Sequence, residues 1–499
     1  MNSYWIDSTK SLFSSYSKLN SNLITDVCII GGGITGVSCA YKLSKQGLNV
    51  VMLEKNKIAN STTGNTTAKI TSQHGLFYKY LHDSFSREFA KKYLYANEEA
   101  ILDIENIINS ENITCDFSRQ DNYVYTTDTN EIEKIKNEVN IVKSLGFNCS
   151  FEKEIPLPIN ILGAIKFPNQ AQFNPLKYIA HLCNSISSHN GKIFENTTVL
   201  DIKKEDNFYL TLTDSNYIKS KYVIIASHYP IINAPGFYFL KMYQETSYAI
   251  AVSCDDEFPT GMYINSEKPT YSFRTIDDNN KKLLIVGGLS HKTGQDKDLS
   301  QNYKILESKA RELYPNCTVR YRWQTEDTIS LDKIPYIGEF SKIMPNVFLA
   351  TGFKKWGMTT SNLASNIITD KILGINNNFQ DIFLSTRFHP IKNHTEFTNM
   401  IKETTNSLIT EKLKLSETDT NSINKGEGKI IEISGKKVGV FKDFNGNIFS
   451  VNPTCSHLGC LLTWNNLEHT WDCPCHGSRF DYTGKSLYSP SIRDLERYE

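Results

Sequence analysis

The sequence predicts an α/β nucleotide-binding domain at the front of the chain and a small all-β domain at its end. Three observations carry this. Between Asp26 and Glu54 two short apolar runs flank a glycine-rich turn and a helical stretch. From Lys429 onward the residues alternate in short segments separated by turns. Two compact clusters of cysteine and histidine then follow within the last fifty residues.

The front element can be justified residue by residue. Asp26-Val27-Cys28-Ile29-Ile30 suits a strand buried on both faces, and it enters Gly31-Gly32-Gly33-Ile34-Thr35-Gly36 directly. A helical stretch runs to Gln46, Gly47 stops it, and Asn49-Val50-Val51-Met52-Leu53 forms a second strand ending in Glu54. This is a complete Rossmann-like βαβ unit. Gly31 makes the tight turn, Gly33 lets the backbone approach a pyrophosphate, and Gly36 lets helix and strand pack closely. The helix N-terminus faces the phosphate charge, and Glu54, eighteen residues past Gly36, accepts hydrogen bonds from a ribose.

The clusters at the other end read Cys455-Ser456-His457-Leu458-Gly459-Cys460 and Cys473-Pro474-Cys475-His476-Gly477-Ser478, with fifteen residues between His457 and Cys473. One Cys and one His from each loop form the ligand set of an asymmetric [2Fe-2S] cluster, cysteines on one iron and histidines on the other. A structural zinc site is the alternative for two cysteines and two histidines, but it leaves Cys460, Cys475 and the Gly-Ser after His476 unexplained. The arrangement resembles a Rieske domain. The resemblance implies that Cys455 and Cys473 bind the buried iron, and that His457 and His476 bind the outer iron and turn a ring edge to solvent or a partner. It implies a Cys460–Cys475 disulfide clamping the loops, and a hydrogen bond from Ser478 to a cluster sulfur. The family's nearby tyrosine is Phe480 here, so the expected potential lies below that of respiratory Rieske proteins yet well above plant-type ferredoxins.

Further along the front domain, the hydroxyl-rich stretch Ile58 to His74, with Thr63, Gly64, Thr66 and Thr67 at its centre, resembles the loop by which flavoproteins of the D-amino-acid oxidase family wrap the ribityl chain and flavin. Asn196-Thr197-Thr198-Val199, Tyr222 to His228, Trp323 to Gly338, and Val347 to Thr360 with its turn at Gly352 match the same family in order. The resemblance spans residues 24 to 390 in segments and implies FAD as cofactor. It implies a glutathione-reductase-type FAD domain with an inserted α+β substrate domain: FAD-binding parts at 24–95, 165–235 and 323–390, and substrate-domain parts at 96–164 and 236–322. A helix and polar linker follow at 391–426, with the helix over Glu396–Leu415 and the linker over Ser416–Gly426, and the Rieske domain occupies 427–499. Such a linker would let the cluster swing between flavin and partner.

For the reaction, amino-acid oxidases of this family carry an arginine four positions after a tryptophan to hold the substrate carboxylate. Asp327 takes that place in Trp323-Gln324-Thr325-Glu326-Asp327, and a carboxylate there repels an anion and attracts a cationic amine. Arg274 and Arg322 are the remaining candidates for an anion clamp, with an ordinary surface arginine as the equal alternative for each. Lys354 and Lys355, in the turn that resembles the flavin-facing loop, are candidates to stabilise reduced flavin, with solvated lysines as the plain alternative. His74 and His228 lie beside cofactor-like segments as conceivable proton relays, although such histidines are more often simply hydrogen-bonded in place.

The leading expectation is an FAD-dependent oxidoreductase that takes two electrons from an amine-type substrate and passes them singly through its own cluster to an external acceptor. The alternatives are a reductase with the flow reversed and a non-enzymatic redox sensor. A ring-hydroxylating oxygenase needs two histidines and a carboxylate around a mononuclear iron, and no such triad is evident. With 54 basic and 54 acidic residues the chain carries no net charge to draw it to nucleic acid or an anionic membrane. No run of eighteen apolar residues is present. Seven cysteines (Cys28, Cys39, Cys115, Cys149, Cys183, Cys254 and Cys317) show no pairing pattern, which fits small buried side chains in a reducing, cytoplasmic compartment.

Overall fold

Strand Leu23–Ile30 pairs in parallel with Val50–Leu53 on one side and with Tyr217–Ile225 on the other, which sets it at the centre of an eight-stranded sheet. The computed structural model describes residues 3–278, 281–295, 299, 301–387, 398 and 423–498. The sheet continues through Lys192–Phe194 at one edge and Met344–Thr351 and Tyr336–Ser341 at the other, with the hairpin Asp201–Leu212 attached to Tyr217–Ile225. Val27–Ile30 and Val50–Leu53 are unbroken apolar runs, buried because both faces of the sheet are covered there. Helix Ile34–Lys45 packs against helices Pro175–Ser188 and Gly357–Leu373.

A second, nine-stranded mixed sheet runs from Thr318–Ser330 through Met242–Ser253, Lys281–Lys292, Tyr271–Asp278, Met262–Asn265, Ser118–Thr126 and Gly163–Gln172 to Lys69–Ile70, with Ser150–Glu152 on the side. The boundaries expected at 164/165 and 322/323 fall inside two of these strands, Gly163–Gln172 and Thr318–Ser330. A strand joins a sheet as a unit, so both belong whole to the second sheet.

The C-terminal part is two four-stranded antiparallel sheets. One orders Glu427–Ile433, Lys436–Lys442, Ile448–Val451 and Arg497–Tyr498; the other orders Thr463–Asn465, Thr470–Asp472, Arg479–Asp481 and Ser486–Tyr488. The helix and linker expected over 391–426 fall outside the described residues, apart from residue 398 and the last four. Ahead of the first sheet, a short helix Tyr4–Ser8 is capped by Ser3, whose hydroxyl accepts from the Ile6 N–H at 3.3 Å. Among the described residues no helix is long and apolar enough to cross a membrane.

Candidate functional site

A cavity of about 800 Å³ opens where the two sheets meet. Its floor is the turn after Leu23–Ile30. Gly31 sits at φ +106°, and a Cβ on it would lie 2.6 Å from the Ala226 carbonyl oxygen. Gly36 stands behind the floor, where a Cβ would lie 2.0 Å from the Gly31 carbonyl oxygen; its role is close packing of helix on strand. Gly33 is the N-cap of helix Ile34–Lys45, and the Ile34 N–H donates to the Thr63 hydroxyl at 3.2 Å. Glu54 accepts from the Gly32 and Asn56 N–H groups, each at 2.8 Å. Gly31, Gly33, Glu54, Thr63, Thr66, Thr67, Val199 and Gly352 all line the cavity. Gly64 lies behind the loop against Ile6.

The lining carries polar atoms with no protein partner. Ser247 Oγ, Thr325 Oγ1 and His228 Nε2 are buried, unpaired and part of the wall, as a cavity made to hold a polar ligand requires. With the glycine turn, the helix N-terminus and Glu54, this donor set fits a dinucleotide. His74 differs. Its Nδ1 meets Tyr93 Oη at 2.7 Å, its Nε2 meets the Thr71 carbonyl at 2.9 Å, and its ring stacks on Trp356. Burial holds it neutral, down at about 3.

Asp327, Glu245, Lys354 and Lys355 also line the cavity. Asp327 and Glu245 are cross-strand partners, and Lys355 Nζ pairs with Glu245 Oε2 at 2.7 Å. Burial pushes the Asp327 carboxyl up to about 7, against the pull of Lys355. Burial, and then the charge of Lys333, hold Lys354 down at about 7, with its ammonium 3.7 Å from the centre of the Phe77 ring. Glu245 was not legible in advance: only the two-residue alternation of Tyr243, Glu245 and Ser247 along one strand marks that face.

Arg274 does not serve as an anion clamp. It is not part of the cavity lining, and its Nη1 donates to the carbonyls of Thr67, Ala68 and Phe173. Arg322 is also spent elsewhere, on Glu307 at 3.1 Å.

In the C-terminal domain, Cys455 and His457 stand on one loop and Cys473 and His476 on the other. The two imidazoles are 5.2 Å apart between ring centres and nearly perpendicular. Their Nδ1 atoms are buried and without partners, which is the donor geometry a metal centre needs. Cys460 and Cys475 form a disulfide beside them. The sulfurs of Cys460, Cys473 and Cys475 also lie within 4.8 Å of one another, but the disulfide commits two of the three. Ser478 is fully buried, and its hydroxyl accepts from the Ser491 N–H at 3.0 Å. Phe480 is fully buried as well.

The histidine edge is packed against the flavoprotein body, with His476 buried and His457 half-buried. His457 Nε2 lies 2.7 Å from Asn233 Oδ1, the Tyr229 ring is 6.4 Å from the His457 ring, and the Phe239 ring is 5.9 Å from that of His476. His476 is 2% exposed. The domain holds this position through several contacts. Arg479 pairs with Glu326, Gln244 Nε2 donates to the Ser489 carbonyl at 2.8 Å, and Lys55 Nζ donates to Ser486 Oγ at 2.9 Å. Leu487, Tyr488, Ser489, Ser491 and Ile492 of this domain form part of the wall of the cavity itself.

Fold and site together define a flavoprotein that carries its own iron–sulfur domain. The chain belongs to the FAD dependent oxidoreductase family, matched over residues 26–371, and its C-terminal part is a Rieske [2Fe-2S] domain, matched over residues 415–499. The Rieske 2Fe-2S iron-sulfur protein YhfW of Bacillus subtilis (strain 168) is 38% identical over 496 residues, covering 99% of this chain and 97% of that protein. Gamma-glutamylputrescine oxidoreductase of Escherichia coli (strain K12) is 22% identical over 395 residues, 76% of this chain and 90% of that protein. Glycine oxidase from Geobacillus kaustophilus superposes with a TM-score of 0.64 at 18% identity, covering 74% of this chain and all of that one. The cofactors are therefore FAD and a [2Fe-2S] cluster, and the cluster replaces the zinc alternative.

Proposed function

We propose that the protein oxidises an amine-type substrate at a C–N bond and delivers the electrons one at a time, through its own Rieske cluster, to an external acceptor. Gly31, Gly33, Glu54, Thr63, Thr66, Thr67, Val199 and Gly352 hold the FAD, with Gly36 and Gly64 shaping the backbone behind it; Cys455, His457, Cys473 and His476 hold the cluster. The flavin supplies an acceptor for two electrons that can be released singly, and the cluster carries one electron at a time.

The observation that carries the reading is the position of the histidine edge. It is packed on Tyr229, Asn233 and Phe239, in the segment that continues from the cavity-lining residues Ala226, Ser227 and His228. A cluster meant only for an outside partner has no reason to spend that edge on its own chain. The paired carboxylates Asp327 and Glu245 favour a cationic amine beside them in the cavity, and Lys355 offsets one of the two charges. Asp327, poised near neutrality, is suited to take the amine proton. The oxidation then removes one C–H and one N–H hydrogen as two protons and two electrons and leaves a C=N bond. The names of the similar proteins, gamma-glutamylputrescine oxidoreductase and glycine oxidase, point to the same substrate class. The cysteines at 28, 39, 115, 149, 183, 254 and 317 are all unpaired, which supports a cytoplasmic location.

Anaerobic stopped-flow with a panel of amines tests this. The flavin band should bleach first and the cluster second. Cluster reduction that never follows flavin reduction sinks the relay, and a flavin that no amine bleaches sinks the substrate class.

A further inference from the structure

Five consecutive carbonyls of the cofactor loop, Gly64 to Ala68, each accept a hydrogen bond from a side chain, and of the donors only Trp323 also lines the cavity. Ser3 Oγ donates to Gly64, Trp323 Nε1 to Asn65 at 3.0 Å, Trp5 Nε1 to Thr66 at 2.7 Å, and Arg274 Nη1 to Thr67 at 3.1 Å and to Ala68. Two of these donors come from the short helix ahead of the nucleotide fold. That helix is fastened in place: Ser3 is 0% and Trp5 1% exposed, the Arg274 guanidinium lies 5.2 Å from the Trp5 ring centre, and Tyr4 packs edge-on against Tyr321 at 5.6 Å.

In a trans peptide the C=O and the following N–H point in opposite directions. Drawing the Thr66 carbonyl toward Trp5 therefore turns the Thr67 N–H away from that donor, to the side where Asn65, Thr66 and Thr67 line the cavity. The Asn65 and Ala68 N–H groups are already engaged, with the Ser61 carbonyl and the Thr66 hydroxyl. What the loop then offers is N–H and hydroxyl donors, suited to an oxygen-rich or anionic ligand.

We infer that residues 3–8, with Trp323 and Arg274, are an anchor that fixes the cofactor loop in its donor-presenting form, so that the segment ahead of the nucleotide fold is part of FAD retention. Trp5 is a positioning residue here. It acts on the loop backbone and not on the cofactor. Loosening the Thr66 carbonyl lets the peptide turn and directs an acceptor at the oxygens of the ligand.

Trp5→Phe keeps an aromatic ring in the buried site but removes the N–H. The test compares the full-length variant with wild type after FAD has been stripped and titrated back, following flavin fluorescence. The dissociation constant should rise about tenfold, the size of one lost buried hydrogen bond. Amide hydrogen exchange over residues 61–70 should quicken while strands Leu23–Ile30 and Val50–Leu53 keep their protection. Ser3→Ala offers the same readout at the Gly64 carbonyl if the tryptophan variant fails to fold. Wild-type FAD affinity in Trp5→Phe, or in Ser3→Ala where that variant is used, overturns the inference, as does exchange that quickens equally across the whole sheet.

Discussion

Arg479 of the Rieske domain and Glu326 of the nine-stranded sheet form an ion pair in which neither side chain has any exposed surface. Arg479 Nε also donates to Asp472 at 2.9 Å and its Nη2 to Thr470 Oγ1 at 2.8 Å. One guanidinium thus serves its own domain and the flavoprotein body together. Separating the two would strand Glu326 without its counter-ion, so the pair favours a docked domain over one that swings.

Arg479→Met should therefore cost about 3–5 kcal/mol, because an uncompensated carboxylate remains buried. Pairing it with Glu326→Gln should recover much of that loss. Thermal unfolding of the two variants and the double variant, treated as a cycle, measures the coupling. Strict additivity would mean that the pair does not act across the interface.

Asn233 is expected to matter to the relay without touching substrate. Nδ1 of His457 is the nitrogen left free to hold iron, and Nε2 would then carry the proton and donate to Asn233 Oδ1, 2.7 Å away. Asn233→Ala removes that acceptor, at a cost of about 1–2 kcal/mol. In stopped-flow the cluster phase should slow while the flavin phase keeps its rate; equal slowing of both would assign Asn233 a general structural role.

The pH profile follows from two groups. Asp327 must be ionised to attract a cation and take a proton, and its carboxyl sits at about 7, so kcat/KM should rise with pH through that value. Lys354, held down at about 7, loses its charge over the same range and contributes the falling limb. The profile should be a narrow bell near neutrality. Asp327→Asn should abolish the acid limb and Lys354→Met the alkaline one, and an unchanged profile in either variant removes that residue from the scheme.

His457→Cys should lower the cluster potential by a few hundred millivolts, because histidine ligation is what lifts Rieske centres above all-cysteine clusters. A redox titration followed by the reduced-cluster EPR signal reads this. An unaltered potential and spectrum would show that His457 is not a ligand.

The βαβ unit and the cluster loops were legible because their chemistry is local: Gly31 to Glu54 and Cys455 to Ser478 carry their meaning within one turn or loop. Glu245 and Asn233 were not. Glu245 joins the site because Met242–Ser253 pairs with Thr318–Ser330, and Asn233 because a domain more than two hundred residues later docks on it. Arg274 stands in the sequence as a candidate anion clamp or an ordinary surface arginine, and nothing there tells an arginine that binds ligand from one that binds carbonyls. Residues 3–22 carry no motif that marks a role, although Ser3 and Trp5 reach the cofactor loop.

The cavity wall is drawn from both ends of the chain, Ile30 to Gly33 early and Leu487 to Ile492 almost last. The pocket is therefore unfinished until the segment that carries the iron–sulfur loops has folded onto the flavoprotein body, and metal binding is what would fold such a segment. Flavin occupancy then becomes a by-product of iron supply, and protein made by iron-starved cells should come off the column both colourless and flavin-poor.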